Sequence, residues 1–499
     1  MALVRKLFKG LLILVAVGVA AGVVLYLLGL RLVLYGGASP RLEFVTSADA
    51  QRDAIEAHRE AQRAAEPGET PAAASAPASP ALPTEPAVSG GTGDVDPIGA
   101  DAAPGTAAAT AATTAASRSG WTDFRGPARD GAYSHAIRTD WPAGGLEPLW
   151  KQPAGGGYAS FSVAGGRAFT IEQRGPEEVV AAYDVGTGRE LWTSRWTAEF
   201  KEFMGGDGPR ATPVWHDGRV YALGAIGELR CLDETTGETL WRTNILEDAG
   251  ADNLQWGMAA SPLVVDDMVV AMPGGRDGRS VAAYRRDTGE PMWTALDDMA
   301  AYSSPMVVTL AGRRQLLLLT ASRLLGLALD GGEVLWSYPW TTEFDMTAAQ
   351  PVVVSDSRVF VSSATGGAVV EVADTGVGFA VRELWRNIRM KNQFTTSVLH
   401  DGHLYGLDAA ILACLDVETG EVKWKGGRYG FGQVLLAGDH LVVLTEDGDL
   451  ALVRATPERH VELARVPALD GKTWNHPAMA DGILLVRNLK EMAAFDLRR

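Results

Sequence analysis

AAYDVGTGRELW (181–192), RCLDETTGETLW (230–241), AAYRRDTGEPMW (282–293), LALDGGEVLW (327–336) and ACLDVETGEVKW (413–424) are five copies of one unit. Each has a short apolar strand ending in Asp or its equivalent, a Thr-Gly or Gly-Gly turn, and a second strand closing on Trp. Glycine supplies the positive φ of a tight turn, and the alternation on either side marks strands with one buried face. The unit reads as a β-hairpin.

Working outward, two degenerate copies stay in phase: VRELW, closing at Trp385, and HVELA near Ala464, where the tryptophan is missing. An earlier closing residue is Trp150, in LEPLW. Closing positions 150, 192, 241, 293, 336, 385, 424 and 464 are 39 to 52 residues apart. That is the length of a four-stranded propeller blade and not of a helical solenoid repeat. The strand around Trp150 has no preceding strands of its own, while GILLVRNLKEMAAFDL (482–497) supplies strands without a closing one. The two ends are therefore expected to complete one blade and to remove the free sheet edges. The fold class is all-β: an eight-bladed β-propeller of four-stranded antiparallel blades over 121–499, to which the 57 glycines and 14 tryptophans are suited.

The A-x-D-x-x-T-G-x-x-x-W pattern resembles the tryptophan-docking motif of the pyrroloquinoline-quinone-type (quinoprotein-like) propellers. That family includes the quinoprotein alcohol dehydrogenases and BamB, the periplasmic propeller of the outer-membrane β-barrel assembly machinery. The likeness spans about 121–499, and WTDFRGPARDG (121–131) resembles the start of many bacterial propellers of this type. The resemblance implies that Trp150, Trp192, Trp241, Trp293, Trp336, Trp385 and Trp424 lock neighbouring blades by packing between them. Truncating such an aromatic to Ala costs about 3–5 kcal/mol.

Catalytic and non-catalytic members share the motif, so activity has to be read elsewhere. The dehydrogenases of the family carry adjacent cysteines beside the quinone, and a calcium ion next to a catalytic aspartate. Here Cys231 and Cys414 fill the same slot in repeats that count as blades 2 and 6, on opposite sides of the ring. That separation exceeds the roughly 7 Å limit for a disulfide, and both read as small core residues. Of the eight histidines only His400 and His403 are close, in HDGHLYG, a polar turn ahead of a strand, so no metal site is expected. The chain has no C-x-x-C-H haem motif, no G-x-S-x-G elbow and no phosphate-cradling glycine loop. Asp207 and Asp252 read as isolated loop acids.

A second recurrent series marks where each innermost strand starts: YASFSV (158–163), RATPVW (210–215), AASPLV (259–264), YSSPMV (302–307), AAQPVV (348–353), FTTSVL (394–399), FGQVLL (431–436) and NHPAMA (475–480). Again there are eight, and a proline at a strand start loses nothing from the ladder. These starts ring the mouth of the central channel. Tyr158, Arg210, Trp256, Tyr302, Gln350, Asn392, Gln393, Tyr429, Gln433, Trp474, Asn475 and His476 are expected to converge there. They line either a water-filled tunnel or a ligand or peptide pocket.

Ahead of the propeller, Leu11 to Leu30 carries no charge and is long enough to cross a bilayer core of about 30 Å. We read 1–9 as a cytoplasmic N-terminus and 10–35 as a transmembrane anchor. Arg5, Lys6 and Lys9 precede the apolar run, which leaves the N-terminus inside and the rest outside. A cleaved signal peptide is the rival, but the run exceeds the usual apolar region and no small-x-small cleavage site follows. Residues 46–65 read as a polar helical stalk opened by a Thr46/Asp49 capping box, either solvated or in a weak coiled coil. The Ala/Pro/Thr-rich 66–120 reads as a disordered tether with a reach of about 40 Å.

The formal charge of −16 offers no basic field for nucleic acid. The reading preferred is a non-catalytic protein-binding scaffold of the cell envelope, on a single-pass inner membrane with the propeller in the periplasm or outside. It needs no cofactor and has envelope proteins as partners. The alternative is a dehydrogenase of alcohols or sugars, using pyrroloquinoline quinone with calcium.

Overall fold

Asp184 shows how the repeated unit folds. Its Oδ1 accepts from the backbone N–H of Thr187 at 2.9 Å and from Thr187 Oγ1 at 2.7 Å. Asp233 and Asp416 hold Thr236 and Thr419 in the same way. The turn glycine follows with φ near 70°. In the Gly-Gly copy the sequence suggests Asp330 for the anchoring slot, but Ala328 occupies it: Gly332 N donates to Ala328 O as Gly188 N donates to Asp184 O.

The computed structural model describes residues 22–26, 29–36, 39–64, 120–142, 144–343 and 345–499. Eight antiparallel sheets of this unit stand around a central axis. Blade 1 comprises Ser162–Ala164, Arg167–Arg174, Glu177–Asp184 and Glu190–Thr197, from the axis outward. Blade 8 is assembled from both ends as expected: Ala478–Ala480, Ile483–Arg487 and Glu491–Asp496 are completed by Pro148–Pro153, with Ala494 opposite Trp150. In all eight blades the two outer strands slip register by one residue next to the closing position. Such a bulge bends the outer strand and re-aims its side chain, and here it turns the closing residue towards the next blade.

Trp150, Trp192, Trp241, Trp385 and Trp424 donate from Nε1 to a turn carbonyl of the following blade: Val185, Glu234, Arg286, Val417 and Thr456, at 2.7–2.9 Å. The indole of Trp192 lies so close to Gly237 that a Cβ there would sit 2.4 Å from the ring. The motif therefore joins two blades: the glycine of one turn makes room for the tryptophan of the blade before it. Trp336 donates instead to Gln315 Oε1 of its own blade, and Trp293 Nε1 has no partner among the described residues. Ala464 closes blade 7 without an indole because the facing blade 8 has no such turn; its outer strand arrives from Pro148.

Blade 7 carries a fifth, parallel strand, Ala132–Tyr133, on its inner edge. It follows residues 121–131, which cross the channel and close it from one side.

The N-terminal part departs from expectation. Residues 1–9, read as the cytoplasmic N-terminus, and residues 10–21, 27 and 28 of the proposed anchor lie outside the described residues, and no described helix is long and apolar enough to cross a membrane. Residues 22–26 are helical, but Leu30–Tyr35 is a strand paired with Ser39–Phe44, so the span cannot run to residue 35 as read. Gly29, with φ 97°, stands in a turn just ahead of the strand, and Arg31 ends the uncharged run.

The expected stalk is a helix, Ala48–Ala64, started by Ser47 and not by Thr46: Ser47 Oγ accepts from Ala50 N. One side of it is docked, with Ile55 and Arg59 buried against the propeller, while most of its other residues are exposed. Gln51 donates to the carbonyls of Ala154 and Leu489, at 2.7 and 2.6 Å. One isoleucine and one arginine form too narrow an apolar stripe to be read as a docking face. The expected disordered linker lies outside the described residues except for Gly120.

Candidate functional site: a sealed channel

The innermost strands are stitched to one another by the small polar residues that precede them. Ser160 N donates to Thr212 Oγ1, Thr212 N to Ser261 Oγ and Ser261 N to Ser304 Oγ, each at 2.9 Å. Gln350 N donates to Thr396 Oγ1 at 3.1 Å, and Ser160 Oγ to His476 O at 2.6 Å. Much of the series read as channel lining thus joins neighbouring blades. Gln350, Gln433 and Asn475 are buried and donate from their amides to carbonyls of adjoining blades: Ser304 O, Trp474 O, and Gly157 O with Ala159 O. Asn392 Oδ1 accepts from Ser362 Oγ and Ser397 Oγ and so ties blade 5 to blade 6. Gln393 is half-buried on the same connector.

Five of the expected residues do converge at the mouth. Tyr158 stacks on Trp474 at 5.4 Å, Trp256 meets Tyr302 edge-on at 5.7 Å, and the Arg210 guanidinium lies 5.6 Å from the Tyr158 ring. Tyr429 does not converge: its hydroxyl donates to Glu462 Oε2 on the outer strand of blade 7. His476 faces the channel interior, edge-on to Phe124 at 4.8 Å. Burial and the neighbouring Arg125 keep its imidazole neutral by pushing the pKa well below the usual range.

Sequence reasoning missed what fills the mouth. The connector between blades 1 and 2 brings Gly205 and Gly206 over the opening, where Tyr158 Oη and Lys472 Nζ both donate to Gly205 O. Arg210 Nη2 donates to Gly206 O at 2.6 Å. Phe394 and Phe431 extend the aromatic cluster from Trp474. Burial pulls Lys472 down to about 8, against the pull of Glu446, Glu43 and Glu202. The nearby carboxylates are committed: Glu446 accepts from Trp474 Nε1, Phe431 N and Gly36 N, and Glu202 from Gly205 N and Met204 N.

The opposite side is plugged by residues 121–131. Trp121 N–H and C=O pair with Val163 of blade 1, and Thr122 O accepts from Trp215 N of blade 2. Arg129 donates to Pro305 O and Pro262 O and pairs with Asp123 at 2.9 Å. Arg125 donates to Ser397 O at 3.2 Å and to Asp130 O at 3.0 Å. Burial lowers its pKa to about 10, so it remains charged at neutral pH. Gly131 O accepts from Leu436 N of blade 7, so one short segment holds six blades by their inner edges.

A quinone with calcium fits this arrangement poorly. The two cysteines are free and buried in opposite blades, and among the described residues no three His, Cys, Asp or Glu stand together as a metal site. The mouth carboxylates already serve backbone and indole N–H groups, which leaves no set of oxygens for a divalent cation.

The sequence profile described as outer membrane protein assembly factor BamB matches residues 176–426, half of the chain. The chain is similar to the curated protein of that name from Burkholderia pseudomallei, 24% identical over 352 residues, which covers 66% of this chain and 84% of the relative. A second relative of that name, from Shewanella oneidensis, is 22% identical over 264 residues; the match covers 50% of this chain and 65% of the relative. Among solved structures, Moraxella catarrhalis BamB superposes with a TM-score of 0.51 at 14% identity, covering 70% of this chain and all of its own. Comamonas testosteroni quinohemoprotein alcohol dehydrogenase superposes at 0.55 and 13% identity, covering 75% of this chain and 80% of its own. At such identities both superpositions speak for the fold alone.

Proposed function

The chain belongs to the PQQ-like propeller family of the outer-membrane assembly factor BamB, and from that premise we propose that it is a non-catalytic binding scaffold of the cell envelope. The observation that carries this reading is the sealed channel. Arg125 and Arg129 hold the chain across one side and Gly205–Gly206 lies over the other, so the protein's own chain crosses both approaches to a central ligand position. What is left for recognition is the outer surface of the blades and their connectors.

The partner class follows from the family: components that assemble proteins into the outer membrane. The uncharged run Leu11–Leu30, preceded by Arg5, Lys6 and Lys9, supports an inner-membrane anchor with the propeller on the periplasmic side. No cofactor is required for this role.

The test uses the purified full-length chain, titrated with pyrroloquinoline quinone and calcium, beside affinity capture of the chain from its own envelope. We expect no saturable quinone absorbance, no dye reduction with alcohols or sugars, and recovery of an envelope assembly component. Stoichiometric quinone binding with substrate-dependent dye reduction would reverse the assignment in favour of a dehydrogenase.

A further inference from the structure

The hairpin Leu30–Tyr35/Ser39–Phe44 is amphipathic in an inverted sense. Cross-strand partners share a face, as do alternate residues along a strand. The register pairs Leu30 with Phe44, Leu32 with Leu42 and Leu34 with Pro40, so one face is wholly apolar. The other face pairs Arg31 with Glu43, Val33 with Arg41 and Tyr35 with Ser39.

An ordinary surface hairpin would turn its apolar face to the protein. This one turns its polar face inward: Arg41 pairs with Asp447 at 2.5 Å, Glu43 with Lys490 at 3.4 Å, and Tyr35 is buried with its hydroxyl on Glu43. The contact is intimate, since a Cβ on Gly36 would overlap the Phe431 ring and Leu34 O accepts from Lys472 Nζ. The apolar face is left outside, with Leu32 50%, Leu42 68% and Phe44 63% exposed. Solvent-facing clusters of this kind mark an interaction surface.

Its occupant is indicated by what adjoins it. Val23, Val24, Leu25 and Tyr26, also exposed, belong to the uncharged run that starts at Leu11 and whose last residue, Leu30, opens the hairpin. Arg31 folds its guanidinium 3.8 Å over the Tyr26 ring, an arginine–aromatic pairing suited to a headgroup layer.

We propose that the apolar face of this hairpin rests in the lipid surface, so that the propeller sits directly on the bilayer with its channel mouth turned towards it. The inference rests on the anchor in the function proposed above. Residues 65–119 are then no spacer, because the chain is fixed to the propeller on both sides of them, through the Ala48–Ala64 helix and through Trp121. The face bearing the Thr-Gly turns points away from the membrane.

The test places an environment-sensitive fluorophore on Leu42→Cys in the full-length chain, in phosphatidylcholine nanodiscs that contain a shallow spin-labelled lipid quencher. The control is Val377→Cys, at the exposed tip of the blade 5 hairpin on the opposite face. Most of the Leu42 signal should be quenched and the Val377 signal spared. A disc-bound chain with both probes bright in water overturns the proposal and leaves the anchor standing. A Leu42 probe shielded from water but unquenched means that a second copy or another protein covers the face, and overturns it as well. Quenching at both positions removes the orientation. Failure of the chain to enter the discs removes the anchor itself.

Discussion

Trp192 and Trp293 occupy equivalent slots, yet the first donates to Glu234 O at 2.9 Å while the second has no partner for its Nε1 among the described residues. A neutral hydrogen bond contributes about 1 kcal/mol net. Trp192→Phe should therefore destabilise by about 1 kcal/mol more than Trp293→Phe, read as urea midpoints followed by circular dichroism. Equal losses would mean that packing alone fixes the blades. The tryptophans were legible because each copy is local and repeats; the accepting carbonyls were not, since they lie in the following blade and every residue has one. Arg125 and Arg129 show the same limit more sharply. Their acceptors are main-chain carbonyls 272 and 133 residues away, at Ser397 and Pro262, and nothing in the sequence marks such a carbonyl as a partner.

Beside Gln51 and Ile55, the Ala48–Ala64 helix is held by a buried charge. Arg59 enters a polar hole between blades 8 and 1, donating to Gln152 Oε1 at 2.7 Å and lying 3.4 Å from Glu190. Without Arg59 the hole still balances Glu172 and Glu190 against Arg174 and Arg487. Arg59→Ala should release the helix and spare the ring: trypsin then cuts faster at Arg52 and Arg63, while the propeller's melting temperature moves little. Simultaneous loss of helix and ring would show that the helix is integral to the propeller. From sequence, 46–65 was legible as a helix but not as a docked one, because its buried face is a lone Ile55 beside a charge.

The ring as a whole closes at the seam between blades 8 and 1, and the seam carries a buried carboxylate. Glu172 accepts from Gly155 N at 2.8 Å and pairs with Arg174 at 2.6 Å and, more loosely, with Arg487 of blade 8. Burial raises its pKa, but the charges of Arg174, Arg487 and Arg59 outweigh burial and bring it down to about 2. A depressed carboxylate stabilises the fold above its unfolded value near 4.5 and loses that contribution as pH falls towards 2. Glu172→Gln should be about 3–5 kcal/mol less stable at pH 7, since it leaves buried guanidiniums short of a partner. Its denaturation curve should also be flatter than the parent's across that acid range. A slope parallel to the parent's would assign the acid sensitivity to other groups. Blade number and the joining of the two ends were legible at this scale because they follow from counting; the seam's charges, drawn from residues far apart in the chain, were not.

Pro148–Pro153 lies early in the chain and pairs with Glu491–Asp496, three residues from its end. Closure therefore waits on synthesis: until residues 478–496 have been made, blade 8 has only one of its four strands. Seven blades must persist through that interval as an open arc, with an exposed edge at the gap where capture by a chaperone, or by another unfinished chain, is easiest.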